Sequence, residues 1–206
     1  MKYDFDVSSA VQHISRRDRQ LAALIARVGP FEPELRAFAD PFEALSHAII
    51  FQQLTAKAAA AIHHRLLARF PEQNHPTPGD MLALSDGALR EVGLSKAKTV
   101  ALRDLAQHAL DGRLPDALQI HDMDDDTIIE RCSAVKGIGA WTVQMMLIYY
   151  LGRANVLPAT DLGIRKGYLL TFGGELPQPS AITRRAQRWD PYRTVASWYL
   201  WQATYL

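Results

Sequence analysis

The sequence predicts an all-α protein, and three observations support this. Apolar residues recur at helical spacing in several segments, helix-capping residues and prolines precede those segments, and no stretch has convincing strand alternation. The chain has 206 residues, of which 48% are hydrophobic. This length is enough for one substantial core or two compact helical lobes.

Each predicted helix rests on a start or stop signal. Thr55, Ser85 and Ser95 precede apolar segments and are residue types that accept a hydrogen bond at a helix N-terminus. Gly93 and Gly112 follow such segments, where helices commonly end. The predicted helices, in order, cover residues 41–53, 55–70, a short helix from 78, then 85–93, 95–111, 124–134, 140–150, 162–172, 181–188 and 191–205.

Composition excludes several classes of protein. The single cysteine, Cys132, excludes an internal disulfide and an all-cysteine iron–sulfur cluster, and we expect it to be a buried thiol. No apolar run is long enough to span a bilayer, and the first ten residues do not resemble a signal peptide. We therefore expect a cytoplasmic protein.

The net charge of +1 does not indicate a nucleic-acid partner by itself. Basic residues do cluster, however, at 96–98, 165–166 and 184–188. These clusters could form one cationic face, or they could be ordinary solvated helix surfaces.

The turn Lys136-Gly137-Ile138-Gly139 joins two predicted helices. Its glycines permit unusual dihedral angles and a close approach of the backbone to a ligand. The exposed amides would then lie at the start of the second helix, where a phosphate oxygen is favoured. Such a site holds the DNA backbone without reading its sequence. A simple packing turn is the alternative interpretation.

Longer segments carry a resemblance to a known family. Residues 135–161, VKGIGAWTVQMMLIYYLGRANVLPATD, and the continuation DLGIRKG resemble the signature of helix-hairpin-helix DNA glycosylases. Within that superfamily, four further segments are similar to the 3-methyladenine DNA glycosylase II family of alkylbase glycosylases. These are DPFEALSHAIIFQQLTAKAA from Asp40, GLSKAKTVALRDLA from Gly93, RWDPYRTVASWYLW from Arg188 and the run from Asp18 to Pro30.

The resemblance implies an all-α, two-lobed helix-hairpin-helix DNA glycosylase fold with the active-site cleft between the lobes. Residues 38–155 would form a central helical domain that ends in the hairpin. Residues 1–37 and 156–206 would form the second lobe from both termini. The chain looks like the compact form, without the additional N-terminal domain of longer bacterial members.

The resemblance also implies a catalytic residue. Asp161 matches the family's catalytic aspartate, and a carboxylate there can stabilise positive charge on the sugar and orient the attacking water. The alternative role of Asp161 is to cap the helix that starts at Leu162, and the two roles are compatible. Bifunctional relatives carry a nucleophilic lysine where this chain has Trp141. The sequence therefore predicts a monofunctional enzyme that uses water and has no lyase activity.

Aromatic residues suit a cationic alkylated base, which they bind by stacking and cation–π attraction. Trp141 and Trp201 match pocket aromatics of the family, and Trp198 is a weaker candidate. Trp189 is expected in the core. Met145 occupies the position of a pocket tyrosine in a family member, which leaves the substrate range open.

Base flipping needs a residue that fills the vacated space. Gln53 and Leu54 are the preferred wedge candidates, with packing as the alternative role for Leu54. In the other loop, where relatives carry a bulky wedge, the matching residue is Lys96. Phe51 stands where glycine is frequent. The full set of predicted DNA-binding residues is Lys136, Gly137, Gly139, Thr142, Gln53, Leu54, Thr55 and Lys96.

No cofactor is expected to be required. Helix-hairpin-helix proteins of this type often hold a monovalent cation on hairpin carbonyls. By position these carbonyls would belong to Ser133, Val135 and Ile138, and they would hold Na⁺ or K⁺. The scattered histidines lack the spacing of a zinc site.

The sequence thus predicts a monomeric base-excision-repair enzyme that hydrolyses the N-glycosidic bond of alkylated bases, such as 3-methyladenine, in duplex DNA. One alternative keeps the enzyme class but changes the lesion to uracil, hypoxanthine, 8-oxoguanine or mismatched thymine. A second is a non-catalytic DNA-binding module, and a third is a purely structural helical protein.

Overall fold

The computed structural model describes residues 3–206, and all regular structure in that range is helical, which confirms the all-α prediction. None of its helices is both long and apolar enough to cross a membrane. The α-helices are α1 (Val7–Arg17), α2 (Arg19–Val28), α3 (Pro41–Phe51), α4 (Ala56–Leu67), α5 (Pro78–Ala83), α6 (Asp86–Glu91), α7 (Lys96–Leu110), α8 (Gln119–Asp122), α9 (Asp125–Ser133), α10 (Ala140–Tyr149), α11 (Leu162–Phe172), α12 (Pro179–Ala186) and α13 (Arg193–Gln202). Two 3₁₀ turns cover Gln187–Trp189 and Ala203–Tyr205.

The predicted helix caps at Thr55 and Ser95 are confirmed. Each side chain accepts a hydrogen bond, at 3.3 Å, from the backbone N–H three residues later. Helix α3 ends earlier than predicted, at Phe51 instead of residue 53. The reason is backbone geometry, because Gln52 already has an extended ψ of 135° and Gln53 has a φ of 55°, neither of which an α-helix allows.

The chain divides into two compact units, Phe38–Met146 (the central unit) and Met1–Ala37 with Leu147–Leu206 (the terminal unit). Residues 147–155 were expected in the central lobe, but here they belong to the terminal unit. Backbone hydrogen bonds explain this grouping. The carbonyl of Tyr149 accepts from the N–H of Arg36, and that of Ala154 accepts from the N–H of Thr194.

Helices from both ends of the chain build the core of the terminal unit. At its centre the buried carboxylate of Asp18 accepts hydrogen bonds from Arg185 at 2.8 and 2.9 Å and from the indole of Trp189 at 3.1 Å. Trp189 is fully buried, which confirms its expected place in the core. Helices α11 and α13 approach so closely that a Cβ on Gly167 would lie 1.8 Å from the carbonyl oxygen of Leu200.

In the central unit, helix α7 packs against both α3 and α5. Arg103 on α7 donates to the carbonyls of Leu82 at the end of α5 and Leu84 just beyond it. Cys132 on α9 is buried, as expected, and burial raises the pKa of its thiol to about 12.

Aromatic packing accounts for Phe51, which stands where glycine is frequent in the family. Its ring stacks on His47 at a centroid distance of 3.9 Å and an interplanar angle of 14°. His63 and His75 extend this group of rings. Among residues 3–206, no three His, Cys, Asp or Glu side chains are placed to hold a metal ion.

Candidate active site

Asp161 begins helix α11 and is held there by two hydrogen bonds. Its Oδ1 atom accepts from the backbone N–H of Ile164 at 2.9 Å, which makes Asp161 the N-cap. The same atom accepts from the indole Nε1–H of Trp201, on α13, at 2.8 Å. These bonds fix the orientation of a half-buried carboxylate beside an aromatic ring. The structure therefore brings together two residues that lie 40 positions apart in the sequence.

Because Gly163 has no side chain, the space beside it is open to Trp201 and Asp161. A Cβ at that position would lie 2.8 Å from Cδ1 of Trp201 and 2.9 Å from Oδ1 of Asp161. Real Cβ atoms essentially never come so close to other heavy atoms. Glycine is thus required in the first turn of α11 by the contact between indole and carboxylate.

Tyr149, at the end of α10, is a site residue that the sequence did not reveal. Its ring lies nearly parallel to that of Trp201, with a centroid distance of 6.3 Å and an angle of 28°. Burial raises the pKa of the Tyr149 hydroxyl, so the group is neutral and can donate a hydrogen bond. Nothing in the apolar run of α10 distinguishes this tyrosine from a core residue.

A cavity of about 550 Å³ lies next to Tyr149 in the terminal unit. Trp198 lines it together with Arg36, Glu32 and Glu34. The ring of Trp198 also packs edge-on against Phe31 at 5.1 Å. Trp198 therefore lines this cavity and also packs against the core of the terminal unit.

The hairpin of the central unit has the backbone expected of a glycine turn. Gly137 has a φ of 79°, and a Cβ there would lie 3.2 Å from Cβ of Ala101 on α7. Gly139 is exposed and has open space around it. Its carbonyl accepts from the N–H groups of Thr142 and Val143 at the start of α10.

Lys136 makes a contact that the sequence did not predict. Its backbone N–H donates to Oδ2 of Asp104 at 2.8 Å, and its ammonium lies 3.1 Å from Oδ1. Burial alone would raise the pKa of Asp104, but these bonds outweigh it and lower the pKa. The Lys136 side chain remains 70% exposed, so its charge still faces solvent.

Three other predicted residues lie on α10 in the central unit. Thr142 is only 7% exposed, and its hydroxyl lies 3.5 Å from the side-chain nitrogen of Gln52. Its hydroxyl thus packs inside the unit and is not presented to a phosphate. Trp141 is 45% exposed, whereas Met145 is half-buried.

The two predicted DNA-binding loops are exposed. Gln53 adopts positive φ in the turn between α3 and α4, and Leu54 beside it is 41% exposed. Thr55 caps α4 with its side chain. Lys96 is an exposed residue in the first turn of α7.

The predicted cation ligands begin at Ser133, the last residue of α9, and continue through Val135 to Ile138 in the hairpin. The carbonyl of Val135 accepts from the N–H of Ile138 at 3.1 Å, which leaves it a second lone pair. The hydroxyl of Ser133 is buried without a hydrogen-bond partner. Carbonyl oxygens are the type of atom that binds hard monovalent cations, and the cation site stays a prediction.

Comparisons with known proteins agree with these features. Residues 46–191 match the family described as HhH-GPD superfamily base excision DNA repair protein. DNA-3-methyladenine glycosylase 1 of Schizosaccharomyces pombe is 33% identical over 97% of this chain and 89% of its own length.

Two solved structures are also similar. The S. pombe 3-methyladenine DNA glycosylase in complex with abasic DNA has a TM-score of 0.84 at 33% identity, covering 96% of this chain and 97% of its own. A DNA-3-methyladenine glycosidase from Bacillus halodurans has a TM-score of 0.87 at 34% identity, covering 98% and 92%.

The site and these similarities lead to one assignment. An aspartate held at a helix N-terminus follows a glycine hairpin in the sequence, and the family match covers both. The chain belongs to the HhH-GPD superfamily of base excision DNA repair proteins.

Proposed function

We propose that this protein is a DNA glycosylase that hydrolyses the N-glycosidic bond of alkylated purines, including 3-methyladenine, in duplex DNA. The observation that carries the proposal is the Asp161 carboxylate, which two hydrogen bonds orient beside Trp201. The relatives named as 3-methyladenine glycosylases support the choice of substrate.

The proposed reaction uses Asp161 as the catalytic residue. Departure of the base leaves positive charge on the sugar, and a fixed carboxylate stabilises that charge without reorganising. The same group orients or deprotonates the water that completes hydrolysis. Both hydrogen bonds to Oδ1 keep the carboxylate in place while charge develops.

The aromatic residues support an alkylated substrate. A purine methylated on a ring nitrogen is cationic, so it is a good leaving group and is attracted to the faces of aromatic rings. In the proposal Trp201 and Tyr149 of the terminal unit bind the flipped base, and Trp198 of the same unit contributes further apolar surface. Trp141 and Met145, on α10 of the central unit, stay predicted pocket residues. The near-parallel rings of Trp201 and Tyr149 suit stacking.

A water nucleophile follows from the residue after Ala140. Relatives with lyase activity carry a lysine there, whereas this chain has Trp141. Without an amine at that position no Schiff base forms with the sugar. We therefore propose a monofunctional enzyme whose product is an abasic site.

DNA binding is assigned to three segments of the central unit, namely the hairpin, the turn between α3 and α4, and the start of α7. The amides of Gly137 and Gly139, with the charge of Lys136, would bind backbone phosphate. Gln53 or Leu54 would fill the space left by the flipped base, and Lys96 and Thr55 would contact the flanking backbone. We further propose that the carbonyls of Ser133, Val135 and Ile138 hold Na⁺ or K⁺, which would add positive charge near the bound phosphate.

The test compares the parent protein with Asp161→Asn on N-methylated duplex DNA, with released bases and strand breaks measured separately. Asparagine caps a helix as well as aspartate does, so the fold is retained. The expected result is release of 3-methyladenine by the parent, at least about a hundredfold slower release by the variant, and breaks only after alkali. Asp124→Asn is the matched control, because Asp124 caps α9 in the same way.

Other outcomes would contradict parts of the proposal. Strand breaks without alkali, together with a complex trapped by borohydride, would show a lyase. Absence of release with retained DNA binding would redirect the search to uracil, hypoxanthine or 8-oxoguanine, or to a non-catalytic module. Equal release by the parent and Asp161→Asn would remove Asp161 from the mechanism.

A further inference from the structure

Lys98 makes an unusual contact at the end of α3. Its ammonium donates to the carbonyls of Ile50 at 2.6 Å and Gln52 at 2.9 Å. The last carbonyls of a helix have no partner within the helix and carry partial negative charge, so a cation satisfies them well. Burial lowers the pKa of Lys98, as expected of an ammonium that is withdrawn from water into this turn.

The turn held by Lys98 is the one with positive φ at Gln53. A non-glycine residue in that conformation persists only where its surroundings impose it. The two carbonyls that Lys98 binds belong to Ile50 and Gln52, which lie three residues and one residue before Gln53. Lys98 therefore fixes the backbone from which Gln53 and Leu54 project.

Gln52 links this turn to the hairpin. Its side-chain nitrogen donates to the carbonyl of Gly137 at 3.2 Å and lies 3.5 Å from the hydroxyl of Thr142. The backbone carbonyl of Gln52 thus accepts a hydrogen bond from Lys98, while its side chain donates one to the hairpin. The turn and the hairpin are connected by direct hydrogen bonds inside the central unit.

The same face of α7 also supports the hairpin. Ala101, three residues after Lys98, is the side chain that a Cβ on Gly137 would meet, at 3.2 Å. Asp104, three residues further, accepts from the backbone N–H of Lys136. Residues three apart are neighbours on the surface of a helix, so these three form one continuous row along α7. Lys98, Ala101 and Asp104 therefore contact both loops from a single rigid element.

We propose that this face of α7, with Gln52 as the bridge, sets the spacing between the wedge turn and the phosphate-binding hairpin, and that Lys98 is a positioning residue for base flipping. The inference rests on the proposed function, in which the hairpin binds phosphate and Gln53 or Leu54 enters the duplex. A wedge can act only if it enters at a fixed distance from the phosphate that anchors the protein.

The test measures insertion of the wedge without requiring catalysis. The probe is a duplex with a tetrahydrofuran abasic-site analogue opposite 2-aminopurine, whose fluorescence rises when the base is unstacked. The parent protein should raise the fluorescence at saturation. Lys98→Met and Gln52→Leu should bind the duplex but lose most of that rise, while Lys98→Arg should retain it because a guanidinium can donate to the same carbonyls.

Arg103→Met is the matched control. Arg103 also lies on α7 and donates to two backbone carbonyls, those of Leu82 and Leu84, and to the carboxylate of Asp86, and none of these three partners belongs to either loop. Its loss should lower thermal stability about as much as Lys98→Met does and leave the fluorescence rise intact. Equal fluorescence for Lys98→Met and the parent, or an equal loss for Arg103→Met, would overturn the inference.

Excision supplies a second readout that a merely structural role would not alter. The lesion is 7-methylguanine, either paired with cytosine or placed in a one-nucleotide bulge, where flipping needs little energy. Lys98→Met should slow single-turnover release about tenfold from the paired site and little from the bulge. An equal defect on both substrates would contradict a role in flipping. Failure of the parent to excise either lesion would contradict the proposed function, while the fluorescence assay would still decide the role of Lys98.

Discussion

The indole of Trp201 donates to the carboxylate of Asp161 at 2.8 Å, and the carboxylate oxygen that accepts this bond also caps helix α11. The Oδ1 atom of Asp161 thus connects Trp201, on α13, to the first turn of α11. The ring of Tyr149 lies nearly parallel to the indole of Trp201, which is the donor of this hydrogen bond. The orientation of the proposed catalytic group consequently depends on an aromatic residue that is itself a candidate for base binding.

Trp201→Phe separates these two roles of Trp201. The phenyl ring keeps an aromatic surface for stacking but cannot donate to Asp161. A hydrogen bond to a charged group contributes about 1.5 to 3 kcal/mol, so we expect the single-turnover rate to fall about tenfold to a hundredfold. Binding to duplex DNA should change little. If Trp201→Phe excises at the parent's rate and only Trp201→Ala is slow, then the indole acts by stacking alone.

Gly163→Ala and Gly167→Ala form a matched pair on α11. Alanine raises helix propensity by about 0.8 to 1 kcal/mol at either position. At Gly163 the new methyl group would collide with Trp201 and Asp161, so excision should fall while the helix persists. At Gly167 it would collide with the backbone of Leu200, so the fold itself should be lost.

Circular dichroism and single-turnover excision distinguish the two glycine variants. We expect Gly163→Ala to be folded and slow, and Gly167→Ala to be insoluble or to melt far below the parent. A Gly163→Ala protein with full activity would show that the Trp201–Asp161 contact can shift without consequence. Normal stability of Gly167→Ala would contradict the close approach of α11 and α13.

Local signals in the sequence predicted much of the fold. The caps at Thr55, Ser95 and Asp161 depend on side chains that bind their own backbone three residues on, so no tertiary information was needed. The helix predicted near 162–172 has those bounds in the structure. Asp161 itself was identified from its position after the hairpin segment, and its place at the helix N-terminus was predicted with it.

The contacts that position the site could not be predicted in this way. Lys98 binds carbonyls 46 and 48 positions away, and a backbone carbonyl has no side-chain signature in the sequence. Asp104 is 32 positions from Lys136, and in the sequence it resembles any solvated helix residue. Tyr149 stands in an apolar run where its ring has the pattern of core packing. Only the packing of α7 and α13 reveals these roles.

Asp18 should make the stability of the terminal unit depend on pH in the acid range. Burial alone would raise the pKa of Asp18, but its bonds to Arg185, Trp189 and a backbone amide outweigh it and lower the pKa. The ionised form is therefore bound more tightly in the folded state, and the stabilisation is complete above the unfolded pKa of about 3.9. It is lost as pH falls below that value, because the unfolded chain takes up the proton first.

Asp18→Asn tests this dependence. Removing one member of a buried ion pair costs about 3 to 5 kcal/mol, so urea unfolding at pH 7 should show a loss of that size. The difference between the parent and Asp18→Asn should shrink as pH falls from about 4. Asp6→Asn is the control, because Asp6 caps α1 from an exposed position. A pH-independent difference would mean that Asp18 contributes by packing only.

His75 should cause a separate loss of stability at higher pH. Burial, with a smaller contribution from His63, lowers its pKa from 6.5 to about 4, and Asp40 opposes this shift. Because the unfolded chain binds the proton first, stability should decrease as pH falls from about 6.5 to about 4, by at most about 1.4 kcal/mol per pH unit. Both ring nitrogens are buried without a hydrogen-bond partner, so His75→Phe loses no such bond.

Urea unfolding between pH 7 and 4.5 measures the effect of His75. His75→Phe should be about as stable as the parent at pH 7 and more stable at pH 4.5. His64→Gln, which changes an exposed histidine on α4, should follow the parent at both values. Parallel curves for the parent and His75→Phe would show that His75 does not titrate differently in the folded and unfolded states.

Leu54→Ala tests the wedge directly. Leu54 is 41% exposed in the turn between α3 and α4, so its truncation should change the free energy of unfolding by no more than about 0.5 kcal/mol. An apolar side chain that fills the vacated space offsets part of the unstacking energy, which amounts to a few kcal/mol. We therefore expect single-turnover excision from a paired site to slow about tenfold or more, with a smaller effect in a bulge.

Leu118→Ala provides the comparison, because Leu118 is 84% exposed and belongs to the same unit. It should match the parent in both stability and excision. If Leu54→Ala also matches the parent, the wedge is not Leu54, and Gln53→Ala becomes the decisive variant. If neither variant slows excision from the paired site, the turn after α3 does not enter the duplex, and the spacing set by Lys98 would have no function in flipping.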